Sequence, residues 1–261
     1  MNQTSPFYAF KYMFLDNKIL NKFFIFFVLI MINLLPQIIS NGAEHIGPLK
    51  YLGIFFVMSC VSLVAQILYY GYWASCIKCL TEQNQNFLLP MFNFKKDSLL
   101  GLKCFAGQLL LGLAVFFAIL TIGIILAIIF AVLFHINNIT ATILGIAVLI
   151  LFAILFFVAS CIYYPSAIRL FATTEEPLAF FNFKEIIRLI KANSDIYYKY
   201  VGILILASLL MIILFVIAFI PCAMLTLKYP IIAFSLVFLF IGILGAYINT
   251  VSVYAIAKCI R

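Results

Sequence analysis

Apolar runs of roughly 20 residues, separated by short polar stretches, recur along the whole chain, and runs of that length cross a bilayer as helices. The pattern predicts six spans, at about 22–39, 51–77, 105–134, 141–163, 200–220 and 231–257. Pro36 kinks or ends the first span, Lys78 closes the second, and Pro221 ends the fifth. The third exceeds a straight crossing, which implies tilt or an interfacial first turn. An aromatic lead-in at 5–20 precedes the first span, and no A-x-A cleavage pattern follows it, so that span reads as a permanent anchor. The loop 40–50 is rich in turn formers.

The period changes at residues 182–192. Phe183, Ile186, Ile187 and Ile190 fall at i, i+3, i+4 and i+7 and form one apolar stripe, with Lys184, Arg188 and Lys191 opposite. Asn182 is placed to cap this helix with Glu185 at the third position, and Phe181 to pack on Ile186 as a staple. Such a helix is expected to lie flat in the membrane interface, with Ile186, Ile187 and Ile190 in the acyl boundary and the bases on anionic lipid. A second interfacial helix is expected at 93–103, after the same Phe-Asn-Phe-Lys tetrapeptide (92–95 and 181–184). Its capping looks poorer, because Lys96 stands where the glutamate should be and Asp97 takes the staple position. Upstream, the segments 72–80 and 163–171 also match, so the chain reads as two parallel units of span, basic end, loop, tetrapeptide and span.

Composition narrows the class. With 67% hydrophobic and 9% charged residues among 261, the chain lacks the polar surface a soluble domain needs. The net charge of +8 sits at span ends, which points to membrane surface and not to nucleic acid. Six spans place 14 of the 16 basic residues on the side of both termini, and only Lys50 and Lys228 on the other. The positive-inside rule then makes both termini and both tetrapeptide helices cytoplasmic. The seven cysteines lie mostly in or beside apolar runs and form no extracellular disulfide pattern.

One stretch carries a family resemblance. Leu89-Pro90-Met91-Phe92 followed by Gly101-Leu102-Lys103, and more distinctively residues 169–193, resemble an uncharacterised family of prokaryotic multi-pass membrane proteins, domain of unknown function number four-thousand-thirteen. The aromatic lead-in resembles it too. The chain departs from the family in the 40–50 loop, at Met91 and Phe92, and at Asn182, where Asp is usual. The resemblance implies a membrane fold and no particular activity.

Candidate chemistry is sparse. Cys76-Ile77-Lys78-Cys79 is a CxxC, but a zinc site needs two further ligands, and a thiolate is disfavoured at a helix end. Glu44, His45 and His135 share the outer side and read as solvated loop residues. Asn138-Ile139-Thr140 matches a glycosylation sequon by chance. Glu175 and Glu176 read as complements to the dipole of the helix that follows. Gln66, Gln108 and Asn249 are the strongest polar residues within the spans, and their first use is interhelical hydrogen bonding. Gly242 and Gly245, beside Ala246, read as close helix packing.

The chain is therefore expected to be a single all-α domain over residues 1–261, a polytopic protein of a prokaryotic cell membrane with two interfacial helices. It is expected to be no enzyme, with no catalytic residue, metal or cofactor. The expected role is a non-catalytic scaffold, assembly or accessory protein, and the alternative is a small permease or exporter of apolar or lipid-like solutes. Its expected partners are the anionic cytoplasmic leaflet and an unidentified membrane protein, with no nucleic acid.

Overall fold

A computed structural model describes residues 18–41, 48–82, 88–136, 161–195 and 230–259, with isolated helical positions at 143, 145, 146, 148 and 213. All secondary structure among the described residues is helical. In chain order the elements are α1 (Ile19–Asn41), α2 (Pro48–Glu82), α3 (Phe94–Ile136) and α4 (described over 161–174). A 3-10 turn (Pro177–Phe181), α5 (Phe183–Ala192), α6 (Pro230–Tyr254) and a π turn (Ala255–Cys259) complete the order. Four helices are long and apolar enough to span a membrane, over Ile19–Pro36, Lys50–Glu82, Phe94–Leu126 and Leu236–Ala257. That length and composition mark a membrane protein. The expected spans at 141–163 and 200–220 fall almost wholly outside the described residues, as do most of the lead-in, most of the 40–50 loop and residues 137–140.

Several boundaries differ from the sequence reading. Pro36 does not end α1, which continues to Asn41. Lys78 does not close α2 either. The helix runs a further turn to Glu82, whose carboxylate lies 3.9 Å from the Lys78 ammonium one turn back. The largest correction concerns the interfacial helix expected at 93–103. It is no separate element, because α3 runs unbroken for 43 residues and the first tetrapeptide simply opens it. At 1.5 Å per residue that is about 65 Å, twice the hydrocarbon thickness of a bilayer, so one end of α3 projects beyond it.

The start of α3 is also better capped than its sequence suggests. Asn93 Oδ1 accepts the Lys96 amide at 3.1 Å, and Asp97 Oδ2 accepts the Asn93 amide at 2.8 Å. Asp97 thus performs from the fourth position what a glutamate would do from the third. Its other oxygen accepts a 2.6 Å hydrogen bond from Ser75 Oγ of α2, and both side chains are buried.

Glycine makes this approach of α2 and α3 close. A Cβ on Gly71 would stand 1.7 Å from the Asp97 carbonyl oxygen, and one on Gly101 would stand 1.9 Å from that of Ile67. The two backbones are in contact. A third glycine, Gly107, leaves room for the Phe180 ring, which a Cβ there would meet at 2.5 Å. At the far side, Gly242 of α6 admits Met31 and Phe27 of α1, the close packing expected of it.

The buried core gathers at the end of α2 and the start of α3. Tyr72, Cys76, Ile77 and Leu80 of α2 meet Leu100 and Cys104 of α3, Ile168 and Phe171 of α4, and Tyr254 and Ile256 near the end of α6. Further along, α3 leaves Leu113, Phe116, Phe117, Leu120 and Ile124 exposed, as a helix in lipid does.

Candidate functional site

The core is built from two matching corners. In each, the tetrapeptide asparagine is the N-cap: Asn182 accepts the Glu185 amide at 3.3 Å, as Asn93 accepts that of Lys96. In each, a tyrosine near the end of the preceding helix donates to a carbonyl just before the tetrapeptide, Tyr72 to Pro90 at 3.2 Å and Tyr163 to Phe180. Trp73 and Tyr164, equivalent positions in the two units, stack on each other with centroids 6.2 Å apart. The two corners that match in sequence thus meet in the structure at this stack.

Helix α5 forms where the periodicity places it, but its apolar stripe divides. Ile186 is fully buried in the protein and Ile190 packs against the core, whereas Phe183 and Ile187 are 54% and 48% exposed. Ile186 is thus enclosed by protein and not free for the acyl boundary; Phe183 packs sideways on Tyr163 and Phe181, and the exposed apolar edge of α5 reduces to Phe183 and Ile187. On the polar side, Arg188 pairs with Glu185 at 2.6 Å, and Lys184 and Lys191 are exposed. An exposed pair of this kind adds little stability.

Glu175 does not serve the α5 dipole. It closes α4 in the left-handed conformation, φ 57°, with its amide donating to Phe171 O at 2.7 Å. Glycine or asparagine usually fills that place, because a side chain there is strained. Lys78 of α2 compensates, donating to Glu175 Oε1 at 2.7 Å and tying the two corners together. That hydrogen bond, and the Lys78, Lys103 and Lys96 charges after it, outweigh burial and hold the Glu175 carboxyl below its ordinary value of 4.5. The tie is fully present above the unfolded-state value and is lost as pH falls through the lowered folded one. Amide exchange over 173–181 should therefore be flat from about pH 8 to pH 6 after correction for intrinsic rates, and should rise only in acid. In Glu175→Gln the segment should be looser throughout and insensitive to acid. A wild-type rise beginning near neutrality would count against the tie.

The polar residues picked out within the spans fall into two places. Gln108 of α3 donates to the Tyr164 hydroxyl of α4 at 2.6 Å, so it does join helices. Asn249 of α6 accepts from the Tyr69 hydroxyl of α2, and Gln66 lies one turn from Tyr70, to which it donates at 3.4 Å. The tyrosines that complete these pairs were not anticipated. The signal available was the pairing of Tyr69-Tyr70 and Tyr163-Tyr164 inside otherwise apolar runs.

Gln108 and Tyr164 lie at the edge of a groove of about 710 Å³ between α2, α3, α4 and the start of α5. Leu111, Val115 and Ala118 of α3 give it an apolar wall, Phe181 and Phe183 bound it beside α5, and Tyr70 and Tyr163 complete the lining. Gly112 opens onto it, and a Cβ there would meet nothing within 4 Å. The site has the size and character of a ligand pocket, mostly apolar with a few hydrogen-bonding groups at one side. Cys76, by contrast, is fully buried within α2, and no group of three or more metal-ligating side chains occurs among the described residues.

No curated protein and no solved structure matches the chain. A family model does, the one described as "Protein of unknown function (DUF4013)", over residues 54–223. That range takes in most of α2 and all of α3 and α5, with both tetrapeptide corners and every residue of the groove. The two packed corners and the groove between them therefore lie within the matched segment, and the chain belongs to the DUF4013 family.

Proposed function

We propose that the protein is a carrier or exporter of a lipid-like amphiphile, a non-enzymatic protein with six spans and both termini on the cytoplasmic side of a prokaryotic cell membrane. One observation carries the reading: the groove of about 710 Å³ whose wall is apolar and whose edge holds Gln108, Tyr163 and Tyr164. An acyl chain fits such a wall, and the amide and hydroxyls meet the polar part of the molecule. The orientation rests on the basic residues, 14 of 16 on the side of the termini. On that side α5 rests its Phe183 and Ile187 edge on lipid, with Lys184 and Lys191 toward anionic headgroups, beside the groove mouth.

A second reading, a scaffold or assembly protein, draws on the exposed apolar residues Leu178, Phe183 and Ile187, which also suit a partner helix. Photolabelling separates the two. In bilayers carrying a lipid with a diazirine in its acyl chain, adducts should concentrate at residues 111–118 and 181–183. Gly112→Phe, whose Cβ meets nothing within 4 Å and whose ring would occupy the groove, should remove most of them. Undiminished labelling in that variant would end the groove reading. Cross-links from 178–187 to a co-purifying protein would favour the scaffold.

A further inference from the structure

Beyond Tyr70, which lines both spaces, lies a second cavity of about 430 Å³ between α1, α2 and α6. Asn33 of α1, Ser62, Gln66 and Tyr69 of α2, and Asn249 of α6 bring their polar groups to it. Taking the groove reading as given, we infer that this cavity is a headgroup site for an uncharged, hydroxyl-rich amphiphile, a glycosyl or polyol lipid.

Depth is the first argument. Gln66 lies 12 residues before Lys78, about 18 Å along α2, and Asn249 lies nine before Lys258, about 13 Å, so the cavity is inside the hydrocarbon. Polar groups at that depth are expensive unless bonded. Much of the set is bonded internally. Ser62 Oγ donates to Asn33 Oδ1 at 3.2 Å, Asn249 Nδ2 donates to Gly245 O at 2.8 Å, and the Tyr69 hydroxyl donates to Asn249 Oδ1. Two side-chain amide groups remain unused among the described residues, the Asn33 NH2, a donor, and the Gln66 carbonyl, an acceptor; the Tyr70 hydroxyl accepts from Gln66 and keeps its own hydrogen to donate. A hydroxyl both accepts and donates, so a ligand hydroxyl satisfies the pair. A phosphate offers acceptors alone and brings a charge, and none of the described lining residues is cationic to receive it.

The site also extends past the family match, since Asn33 and Asn249 lie outside residues 54–223. α1 and α6 therefore share the headgroup site with Gln66 of the matched segment, which also supplies the groove.

The test uses the full-length protein in nanodiscs and native mass spectrometry, with monoglucosyl diacylglycerol and phosphatidylglycerol of the same acyl chains as competing probes. Wild type should retain the glucosyl lipid in preference by about tenfold for each bridging hydrogen bond. Gln66→Met, close in shape and apolar, should abolish that preference while acyl binding persists, and Asn33→Leu should do the same independently. Gly112→Phe should weaken retention of both lipids alike. Equal retention of the two lipids by wild type, or a preference unchanged in Gln66→Met and Asn33→Leu preparations that elute as single species, would overturn the headgroup site. Glucosyl retention that survives Gly112→Phe but not Gln66→Met would uphold this site and overturn the groove. Retention of neither lipid would overturn both.

Discussion

Gly71→Ala is expected to force α2 and α3 apart and to be among the most damaging single methyl groups that can be added to this protein. The new carbon would sit 1.7 Å from the Asp97 carbonyl oxygen, and the obstacle is backbone within a helix, so no side chain can swing aside. Gly101→Ala meets the Ile67 carbonyl oxygen at 1.9 Å and should behave alike. Overpacking a core commonly costs about 1–3 kcal/mol, and a backbone obstacle places these variants at the top of that range or above. The double variant should cost less than the sum, because one separation of the helices relieves both clashes. Gly112→Ala and Gly123→Ala are the controls: each added carbon meets nothing within 4 Å, and alanine favours the helix by up to about 1 kcal/mol. Thermal unfolding of the purified variants in one detergent makes the comparison. Equal midpoints for Gly71→Ala and Gly112→Ala would show that α2 and α3 do not touch as described.

Asp97→Leu should rank next. The carboxylate takes the Ser75 hydroxyl at 2.6 Å and the Asn93 amide at 2.8 Å while only 2% exposed, so its removal strands two donors. The buried Ser75 hydroxyl left unpaired costs about 1–3 kcal/mol, and the Asn93 amide, on an exposed residue that water can reach, adds less. Asp97→Asn retains one acceptor oxygen and turns an NH2 toward the other donor, so it should recover only part of that. Ser75→Ala removes one partner and its hydroxyl together and should cost less than Asp97→Leu. Combined with Asp97→Leu it should add little, a coupling of about 0.5–3 kcal/mol in a double-mutant cycle. Strict additivity would mean that the two side chains do not share a bond. The helix start offers a second readout: the Asn93 amide, which Asp97 holds, should exchange faster in Asp97→Leu and not in Ser75→Ala.

What the sequence made legible follows from range. Hydropathy over 20 residues places α1, α2, α3 and α6, because lipid selects apolar side chains whatever packs beside them. The Asn182 cap was readable because donor and acceptor are three residues apart. Asp97 was misread by the same local logic. Its partner Ser75 is 22 residues away on another helix, and nothing near Asp97 announces it. Isolated glycines are mute for a similar reason. Gly242 and Gly245 stand close together and look like a packing face, whereas Gly71 and Gly101 gain their meaning only when two helices cross there. Ile186 looked equivalent to Ile187 on a helical wheel, yet α5 rests against protein on one flank and is open on the other. Periodicity defines the stripe but not what lies against each edge. For the candidate site, Gln66, Gln108 and Asn249 stand out as polar residues in apolar surroundings, whereas a tyrosine in an apolar run carries no such contrast until its hydroxyl meets one of them.

The Lys78–Glu175 tie also bears on the order in which the chain is made. Its partners are 97 residues apart, and at typical rates of synthesis about 5–20 s separates their emergence from the ribosome. The first corner must stand through that interval without the second. Its polar bonds and closest helix contact are near in sequence: the Asn93 cap, the Ser75–Asp97 bond, the Gly71–Gly101 contact and the Tyr72–Pro90 bond all fall within residues 67–101. The second corner has its own cap and tyrosine but takes its closing bond from the first. A nascent chain stalled before residue 175 should thus already show native exchange protection at Asn93 and Asp97. The last turn of α2 should become protected only once Glu175 arrives.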